Sequence, residues 1–341
     1  MVQLSEQNEK KSLRESLVVW EADDISDALI SRTADLRFDW RKELPVLAIN
    51  EPHKLSKECI KSLVSQAVVL IGVSVEGANE SCVDVVANSE EDLEKFLDCI
   101  SSNPVASVAC CQVLRNNENA STELGLLLES VTYGTLQSGD EFKNWLDARG
   151  RRVRPEESEP PVLVNIGIEE VELQLNRPRL KNAFSAAMRD SLVEALRGLA
   201  TEGDDRPILI TGNGSTFCIG GDPAEFGSVE NSATAHMIRS VANAAPWLDL
   251  LSERITVRIN GAAIGAGIEL AAFAGRIEAS EQAWFSLPEV RMGLIPGAGG
   301  TVSISRRIGR QLTARMCLSG ERVDAETALN WGLIDGLVDC S

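Results

Sequence analysis

The sequence predicts an α/β fold, and three observations support this prediction. Short apolar or alternating segments that are typical of β-strands recur after residue 161, helical patterns follow them, and glycine-rich turns stand between the two. Strands that alternate with helices indicate βαβ-type crossovers. The chain has 341 residues, of which 44% are hydrophobic, so it is long enough to bury a substantial core.

The elements after residue 161 follow from local patterns. Val171, Leu173 and Leu175 alternate with polar residues, which is the pattern of a half-buried strand. Ser185 is a suitable N-cap for a helix whose apolar residues recur at steps of three and four. Further strands are predicted at residues 207–210, 255–259 and 277–279, and further helices near residue 267, after residue 300 and from Asp324 to Gly332.

The first 150 residues are less regular. Strands are predicted at residues 47–50 and 68–75, and helices at residues 91–99 and 144–149. Residues 151–161 are charged, rich in proline and without an apolar period, which is typical of a linker. The sequence therefore predicts a smaller domain over residues 1–150, a linker over residues 151–161 and a second domain over residues 162–341.

Charge and histidine content exclude several classes of function. The formal net charge is −18, so the chain has no general attraction for nucleic acids or anionic membranes. The only histidines are His53 and His236, which excludes a multi-histidine metal site and disfavours a Ser-His-Asp relay. We therefore expect no metal, no nucleic acid and no membrane among the partners.

Cysteine usage and hydropathy suggest the compartment. None of the eight cysteines forms a C-x-x-C pair, which favours reduced thiols. The first residues lack the apolar region of a signal peptide. The longest apolar stretch, residues 261–275, is interrupted by Glu269 and is shorter than the ~20 residues of a membrane span. We expect a cytoplasmic protein.

Two glycine-rich loops could bind a ligand through their backbone. Residues 217–222 contain two adjacent glycines after a strand, and residues 260–270 run from a strand through a glycine turn into a helix. Amides at the start of a helix have no internal partner, so one from each loop could converge on a carbonyl oxygen as an oxyanion hole. The alternative is that each loop is a tight connection. A dinucleotide fingerprint fails because Leu270 occupies the third glycine position, and no Gly-Lys-Ser/Thr sequence supports a P-loop.

Two glutamates stand in apolar surroundings. Glu269 lies in the first turn of the predicted helix, and Glu289 follows Pro288 among apolar residues. Taken alone, Glu269 could be a partner of the helix dipole and Glu289 an exposed turn residue. Paired carboxylates in a dry site would instead support acid and base chemistry, and each would have a raised pKa.

An ordered set of motifs resembles the crotonase (enoyl-CoA hydratase/isomerase) superfamily. The resemblance covers residues 162–337, about half of the chain, and its motifs stand in the family's order and spacing. The motifs are Asn176-Arg177-Pro178 and residues 217–222, 260–270, 285–293, 296–301 and 318–335. The resemblance implies a crotonase-like ββα superhelix (spiral) core.

The resemblance also implies roles for individual residues. The substrate would be a coenzyme A thioester, with no permanently bound cofactor. The amides of Gly221 and Ala266 would bind the thioester oxygen, and Glu269 and Glu289 would carry the chemistry. The resemblance implies that the segment at Thr301 supports the Glu289 loop. The residues expected to bind the substrate or coenzyme A are Lys181, Ala183, Ile219, Gly220, Asp222, Gly265 and Pro288.

The N-terminal half has weaker echoes of the same family. Residues 47–55 resemble residues 173–181, and residues 129–149 resemble the terminal helices of the family. The chain ends shortly after Asp335, where other members continue, and Pro223 stands where they have an apolar residue. We therefore expect a smaller, degenerate and catalytically silent crotonase-like α/β domain whose last helices replace the missing lid and shape the acyl pocket. We also expect a homo-oligomer, a trimer or a dimer of trimers.

Several functions remain open at this point. The glutamate pair favours hydration of a 2-enoyl-CoA to a 3-hydroxyacyl-CoA, or the reverse reaction, by a lyase. The alternatives are an enoyl-CoA double-bond isomerase and a non-catalytic acyl-CoA-binding subunit. A nicotinamide-dependent oxidoreductase is a more distant reading.

Overall fold

The computed structural model describes residues 17, 19–25, 44–73, 82–150, 158–201, 203 and 205–339. Within these ranges the N-terminal half forms a parallel sheet in the order β1-β2-β3-β4. Its strands are β1 (Val19–Glu21), β2 (Val46–Asn50), β3 (Val69–Val73) and β4 (Val85–Ala87). The predicted strand at residues 68–75 is confirmed as β3, and its residues 74 and 75 lie outside the described residues.

Five α-helices that accompany this sheet lie wholly within the described part of the N-terminal half. Three of them begin at serine N-caps whose side chains accept an amide hydrogen bond, namely Ser56, Ser89 and Ser121. The helices are α1 (Lys57–Val64), α2 (Glu90–Ser102), α3 (Pro104–Asn117), α4 (Thr122–Gln137) and α5 (Asp140–Arg149). The predicted helices at residues 91–99 and 144–149 are confirmed as parts of α2 and α5.

The C-terminal half contains a larger sheet in the order β13-β10-β8-β7-β6-β5, in which only β5 runs antiparallel to its neighbour. Its strands are β5 (Val162–Ile166), β6 (Val171–Leu175), β7 (Ile208–Gly212), β8 (Ile255–Ile259), β10 (Arg276–Ala279) and β13 (Gly336–Leu337). Inward residues of β6 and β8 alternate with half-exposed ones, as the sequence predicted.

The described part of this half also contains a small second sheet, six α-helices and short 3-10 helices. The strands β9 (Ala262–Ile264), β11 (Trp284–Ser286) and β12 (Val323–Asp324) pair in the order β12-β11-β9. The helices are α6 (Ala186–Thr201), α7 (Ser232–Val241), α8 (Ala245–Leu250), α9 (Ala266–Ala271), α10 (Gly300–Ser319) and α11 (Ala325–Trp331). A kink at Gly309 interrupts α10, and Asp324 caps α11, which ends at Gly332.

The two halves share one buried apolar cluster, whose residues extend from Val46 in β2 to Ile334 after α11. Helices α2, α3 and α4 pack against α10. Of the predicted linker, residues 151–157 lie outside the described residues, and the remainder leads into β5. Among the described residues no helix is long and apolar enough to cross a membrane. The described cysteines are all buried free thiols, and Cys340 lies outside the described residues.

Candidate active site

The two glycine-rich loops lie side by side. The amide of Cys218 donates to the carbonyl of Ala262 (3.1 Å), and the amide of Ile264 donates to the carbonyl of Cys218 (2.9 Å). Gly220 has a φ of 87° and approaches so closely that a Cβ there would lie 3.0 Å from the Ile264 carbonyl oxygen and 3.7 Å from the Ala266 nitrogen. This contact brings the loops of Gly221 and Ala266 together.

The amides of Gly221 and Ala266 are the two that the resemblance implied for an oxyanion hole. Both residues line a single cavity of about 810 Å³. Within the described part of the chain, neither amide donates a hydrogen bond to another protein atom. Ala266 is the first residue of α9, where an amide has no partner inside the helix. Both donors are therefore available to a ligand oxygen.

The Gly221 loop is fixed on its other side by a buried ion pair. The guanidinium of Arg177 donates to the Asp222 carboxylate (2.8 Å), and both side chains are at most 5% exposed. The amide of Ala224 donates to the same carboxylate (2.9 Å). Asp222 lines the cavity, but its carboxylate is committed to the loop. Its expected role in binding coenzyme A stays a prediction, and the structure gives the carboxylate a role in holding the Gly221 loop.

The Glu269 carboxylate is buried at the start of α10. It is 2% exposed, and its Oε2 accepts hydrogen bonds from the amides of Ala298 (2.7 Å) and Gly300 (2.9 Å). Burial raises the pKa of Glu269 to about 7, and these amide donors act in the opposite direction. The carboxyl can therefore exchange a proton near neutral pH.

Glu289 lies in the short helix Glu289–Met292 and lines the same cavity. It is 8% exposed, which excludes the alternative of an exposed turn residue. Its Oε2 is buried and has no hydrogen-bond partner among the described residues. Burial, together with the charges of Glu269 and Glu129, holds the pKa of Glu289 well above its usual range. The prediction that both glutamates have raised pKa values is thus confirmed.

A third buried glutamate, Glu129 of α4, was missed as a site residue. It is 2% exposed, and burial followed by the charge of Glu269 raises its pKa to about 8. The available signal was a lone carboxylate between Leu128 and Ser130 in an apolar run, the same signal that singled out Glu269. In the part of the chain that the structure describes, no three His, Cys, Asp or Glu side chains are grouped to hold a metal ion.

The helix α10 contacts the short helix Glu289–Met292, in agreement with the expected support of the Glu289 loop, and the hydrogen bonds around Thr301 add a second role. The amides of the turn before Thr301 bind Glu269 and Glu129 rather than the Glu289 side chain. Thr301 itself donates to Glu129 through its amide (3.0 Å) and its hydroxyl (2.6 Å). The segment therefore supports the Glu269 carboxylate.

The remaining residues expected to bind substrate surround the cavity without lining it. Lys181 is exposed in a left-handed conformation (φ 52°), and its carbonyl accepts from the Ile219 amide (3.2 Å). Gly265 lies directly against a Glu289 oxygen. Ala183 is 3% exposed, Gly220 is buried, and Pro288 is half-buried beside Glu289. Because none of these residues lines the cavity, their expected contacts with coenzyme A stay a prediction.

Helices α4 and α5 of the N-terminal half form one wall of the cavity. Tyr133, Phe142 and Leu146 line it opposite the C-terminal half. The Phe226 ring touches Gly221, because a Cβ there would lie 3.2 Å from the ring, and Phe226 also packs edge-on against Trp145. This arrangement agrees with the expectation that these helices shape the pocket.

Comparison with known proteins identifies the family. The family model described as enoyl-CoA hydratase/isomerase matches residues 167–339. The chain is 38% identical over 162 residues to 2,3-dehydroadipyl-CoA hydratase of Escherichia coli (strain K12), a match that covers 48% of this chain and 63% of that protein. It is 33% identical over 166 residues to the mitochondrial enoyl-CoA hydratase of Pongo abelii, covering 48% of this chain and 55% of that protein.

A solved structure supports the fold. The structure of Pseudomonas aeruginosa DspI matches with a TM-score of 0.50 and 30% identity, over 55% of this chain and 72% of that one. The chain spans less than two thirds of the length of the two enoyl-CoA and dehydroadipyl-CoA hydratases named above. The family match covers half of the chain and contains both candidate glutamates and both candidate amides. The chain belongs to the enoyl-CoA hydratase/isomerase family and has its crotonase fold.

Proposed function

We propose that this protein hydrates 2-enoyl-CoA thioesters to 3-hydroxyacyl-CoA, or catalyses the reverse dehydration. One observation carries the proposal: two free backbone amides, of Gly221 and Ala266, line the same cavity as two buried glutamates, Glu269 and Glu289. The names of the relatives, enoyl-CoA hydratase and 2,3-dehydroadipyl-CoA hydratase, support the substrate class.

The amides would act on the thioester carbonyl. Addition of water to the conjugated double bond places negative charge on the carbonyl oxygen in an enolate-like transition state. Two amide donors that point at this oxygen stabilise the charge, and each such donor contributes about 3 kcal/mol in a site that excludes water. Because the donors belong to the main chain, an alanine at position 266 serves as well as a glycine.

The two glutamates differ in ways that suit different roles. Glu269, with a pKa of about 7, is partly ionised at neutral pH, so it can take a proton from water as the hydroxyl group bonds to C3. Glu289 has no donor on its buried Oε2 and a pKa held well above its usual range. It therefore keeps its proton and can deliver it to C2. Return of a proton from Glu269 to Glu289 restores the starting state, so the sum of the steps is the addition of one water molecule.

The assay is the loss of ultraviolet absorbance of the conjugated enoyl thioester, measured over a panel of acyl-chain lengths. We expect turnover by the wild type and a ~10²–10⁴-fold loss of rate in Glu289→Gln, as is typical when an acid or base group is removed. Glu326→Gln, an exposed change on α11, is the matched control and should keep the wild-type rate. A migrated double bond in the product would indicate isomerisation, and binding of acyl-CoA without turnover would indicate a non-catalytic subunit.

A further inference from the structure

The turn that begins α10 presents four successive amides to two different carboxylates. The amides of Ala298 and Gly300 donate to Oε2 of Glu269. The amides between and after them, of Gly299 and Thr301, donate to Oε1 (2.7 Å) and Oε2 (3.0 Å) of Glu129. Alternate amides of one turn therefore bind two different glutamates, one from each half of the chain.

The same turn is held by a second contact from the N-terminal half. The Thr301 hydroxyl donates to Glu129 (2.6 Å) and accepts a hydrogen bond from the side-chain amide of Asn117 (3.0 Å). Thr301, Glu129 and Asn117 are 0%, 2% and 7% exposed. Each of these bonds is shielded from water, so its loss would leave a buried polar group without a partner.

This turn needs such support because of its own sequence. Residues 297–300 are Gly-Ala-Gly-Gly, and Gly299 has a φ of 105°, a conformation that side chains rarely adopt. Glycine restricts the backbone weakly, so acceptors on both sides must define where the amides point. The amides of Ala298 and Gly300 hold Glu269 in place, and Glu129 holds the amides of Gly299 and Thr301.

We propose that Glu129 is a positioning residue, supplied by the N-terminal half, that fixes the start of α10 and thereby the Glu269 carboxylate. The kinetic consequence of this inference rests on the proposed function. The inference adds that the N-terminal half helps to arrange the reacting groups. It adds a positioning role to the expectation that the last helices of this half replace a lid and shape the acyl pocket.

Charge couples the same residues. The ionisable groups facing Glu129 are Glu269 from α9, Glu289 from the short helix after β11, Tyr133 from its own helix and Arg239 from α7. Burial and the Glu269 charge raise the pKa of Glu129 to about 8, above that of Glu269 at about 7, so Glu269 loses its proton first. Glu129 therefore acts on Glu269 through the turn: its removal should weaken the amide bonds that lower the pKa of Glu269, and the acid limb of the kcat/KM profile should move to higher pH.

The decisive variant is Glu129→Gln, compared with Glu141→Gln. Glu141 of α5 also has two carboxylate oxygens that accept successive amides, those of Val105 (2.7 Å) and Ala106 (2.9 Å), but at the start of α3. The two changes are chemically the same, and only one touches the turn that binds Glu269. Thr301→Val and Thr301→Ser provide a second pair, because valine removes the hydroxyl donor and serine keeps it.

We expect Glu129→Gln to lower kcat about 10- to 100-fold while KM stays within about threefold, since small displacements of a catalytic group have effects of this size. Glu141→Gln should stay within about twofold of the wild type. Thr301→Val should lower kcat, whereas Thr301→Ser should keep kcat close to the wild-type value. Equal kcat values and equal pH profiles for Glu129→Gln and Glu141→Gln, with both variants folded by circular dichroism, would overturn the proposal.

A measurement without substrate separates this proposal from the proposed function. Carbon-13 NMR of protein labelled at the glutamate carboxyls follows each titration directly. Glu129→Gln should raise the pH at which the Glu269 signal titrates, because the displaced amides no longer stabilise the ionised carboxylate, and Glu141→Gln should leave that signal unchanged. An unmoved Glu269 signal would overturn the positioning role even if the enzyme turns over. Absence of wild-type turnover with a shifted Glu269 signal would contradict only the proposed function.

Discussion

The three buried glutamates carry different numbers of hydrogen bonds, and this difference is informative. Glu129 accepts three, Glu269 accepts two on a single oxygen, and Glu289 has an oxygen without a partner among the described residues. Donors stabilise the ionised form, whereas burial and neighbouring negative charge oppose it. Burial and the Glu269 charge raise the pKa of Glu129 to about 8 despite its three donors, and the pKa of Glu289 is also well above its usual range. Glu269, whose pKa is about 7, is the group that changes its protonation near neutral pH.

The raised pKa of Glu269 predicts how stability depends on pH. Its pKa of about 7 lies above the ordinary value of 4.5, so the folded state binds its proton more tightly than the unfolded chain does. That contribution to stability is complete below pH 4.5 and is lost as the pH rises through about 7. Glu269→Gln does not titrate, and a glutamine oxygen at the Oε2 position keeps both amide bonds.

We therefore expect Glu269→Gln to unfold at a higher temperature than the wild type at pH 8, with a much smaller difference at pH 5. The gain at pH 8 should be on the order of a few kcal/mol at most, because one pKa unit corresponds to about 1.4 kcal/mol. Thermal unfolding at the two pH values tests this, with Glu326→Gln as the control. The same change in unfolding temperature at both pH values would contradict the explanation.

At the scale of single elements, the sequence defines the C-terminal half well. Alternation predicts β6 and β8, the serine at position 185 predicts the start of α6, and Asp324 and Gly332 predict both ends of α11. These features succeed because each is a local relation between a side chain and the backbone beside it. The glutamate pair and the two loops were also found from local patterns, although only the fold places them on one cavity.

The helices of the N-terminal half were harder to predict, for a physical reason. In α4 the buried Gly125 and Leu126 stand beside the exposed Leu124 and Leu127, so apolar residues are spread around the helix and give no clear stripe. The role of Glu129 depends on residues 170 and 172 positions away. No local pattern encodes a contact at that separation, so the apolar run around Glu129 could indicate a buried carboxylate but not its partners.

Helix α5 holds the loop that carries Gly221 through an aromatic cluster. The Trp145 ring stacks on Phe142 (5.9 Å between centroids) and contacts Phe226 edge-on (5.6 Å). Arg149 lies 5.0 Å from the centre of the Trp145 ring and donates to the carbonyl of Pro223. The turn at Pro223 is thus anchored from the other half of the chain.

Loss of this cluster should weaken catalysis as well as stability. We expect Trp145→Ala to lower kcat/KM about tenfold, because a loosened loop no longer holds the Gly221 amide in place. Trp331→Ala removes another half-buried ring, in α11, that takes no part in this aromatic cluster, and it should lose stability with little change in kcat/KM. Steady-state kinetics well below the unfolding temperature distinguishes the two. Equal losses of kcat/KM would show that the cluster has no specific role.

At the scale of the whole molecule, a buried charge network joins the two halves. The Asp84 carboxylate, after β3, binds Arg115 of α3 through two hydrogen bonds and lies 3.5 Å from Arg310 of α10. All three side chains are at most 6% exposed. Such a network favours one arrangement of the halves, because any displacement leaves buried charges without compensation. Together with the shared apolar cluster, it predicts that both halves unfold as one unit.

Asp84→Ala tests this cooperativity. Removal of one partner from a buried ion pair costs about 3–5 kcal/mol, so we expect a marked fall in the unfolding temperature. Asp98→Ala is the matched control, since the Asp98–Arg291 pair also joins the halves (3.4 Å) but both side chains are more than a third exposed. Exposed pairs contribute about 0–1 kcal/mol. Calorimetry of Asp84→Ala should show one transition, shifted as a whole. A second transition, with the C-terminal half unfolding at the wild-type temperature, would mean that the halves are independently stable and that Glu269 does not depend on its neighbour half.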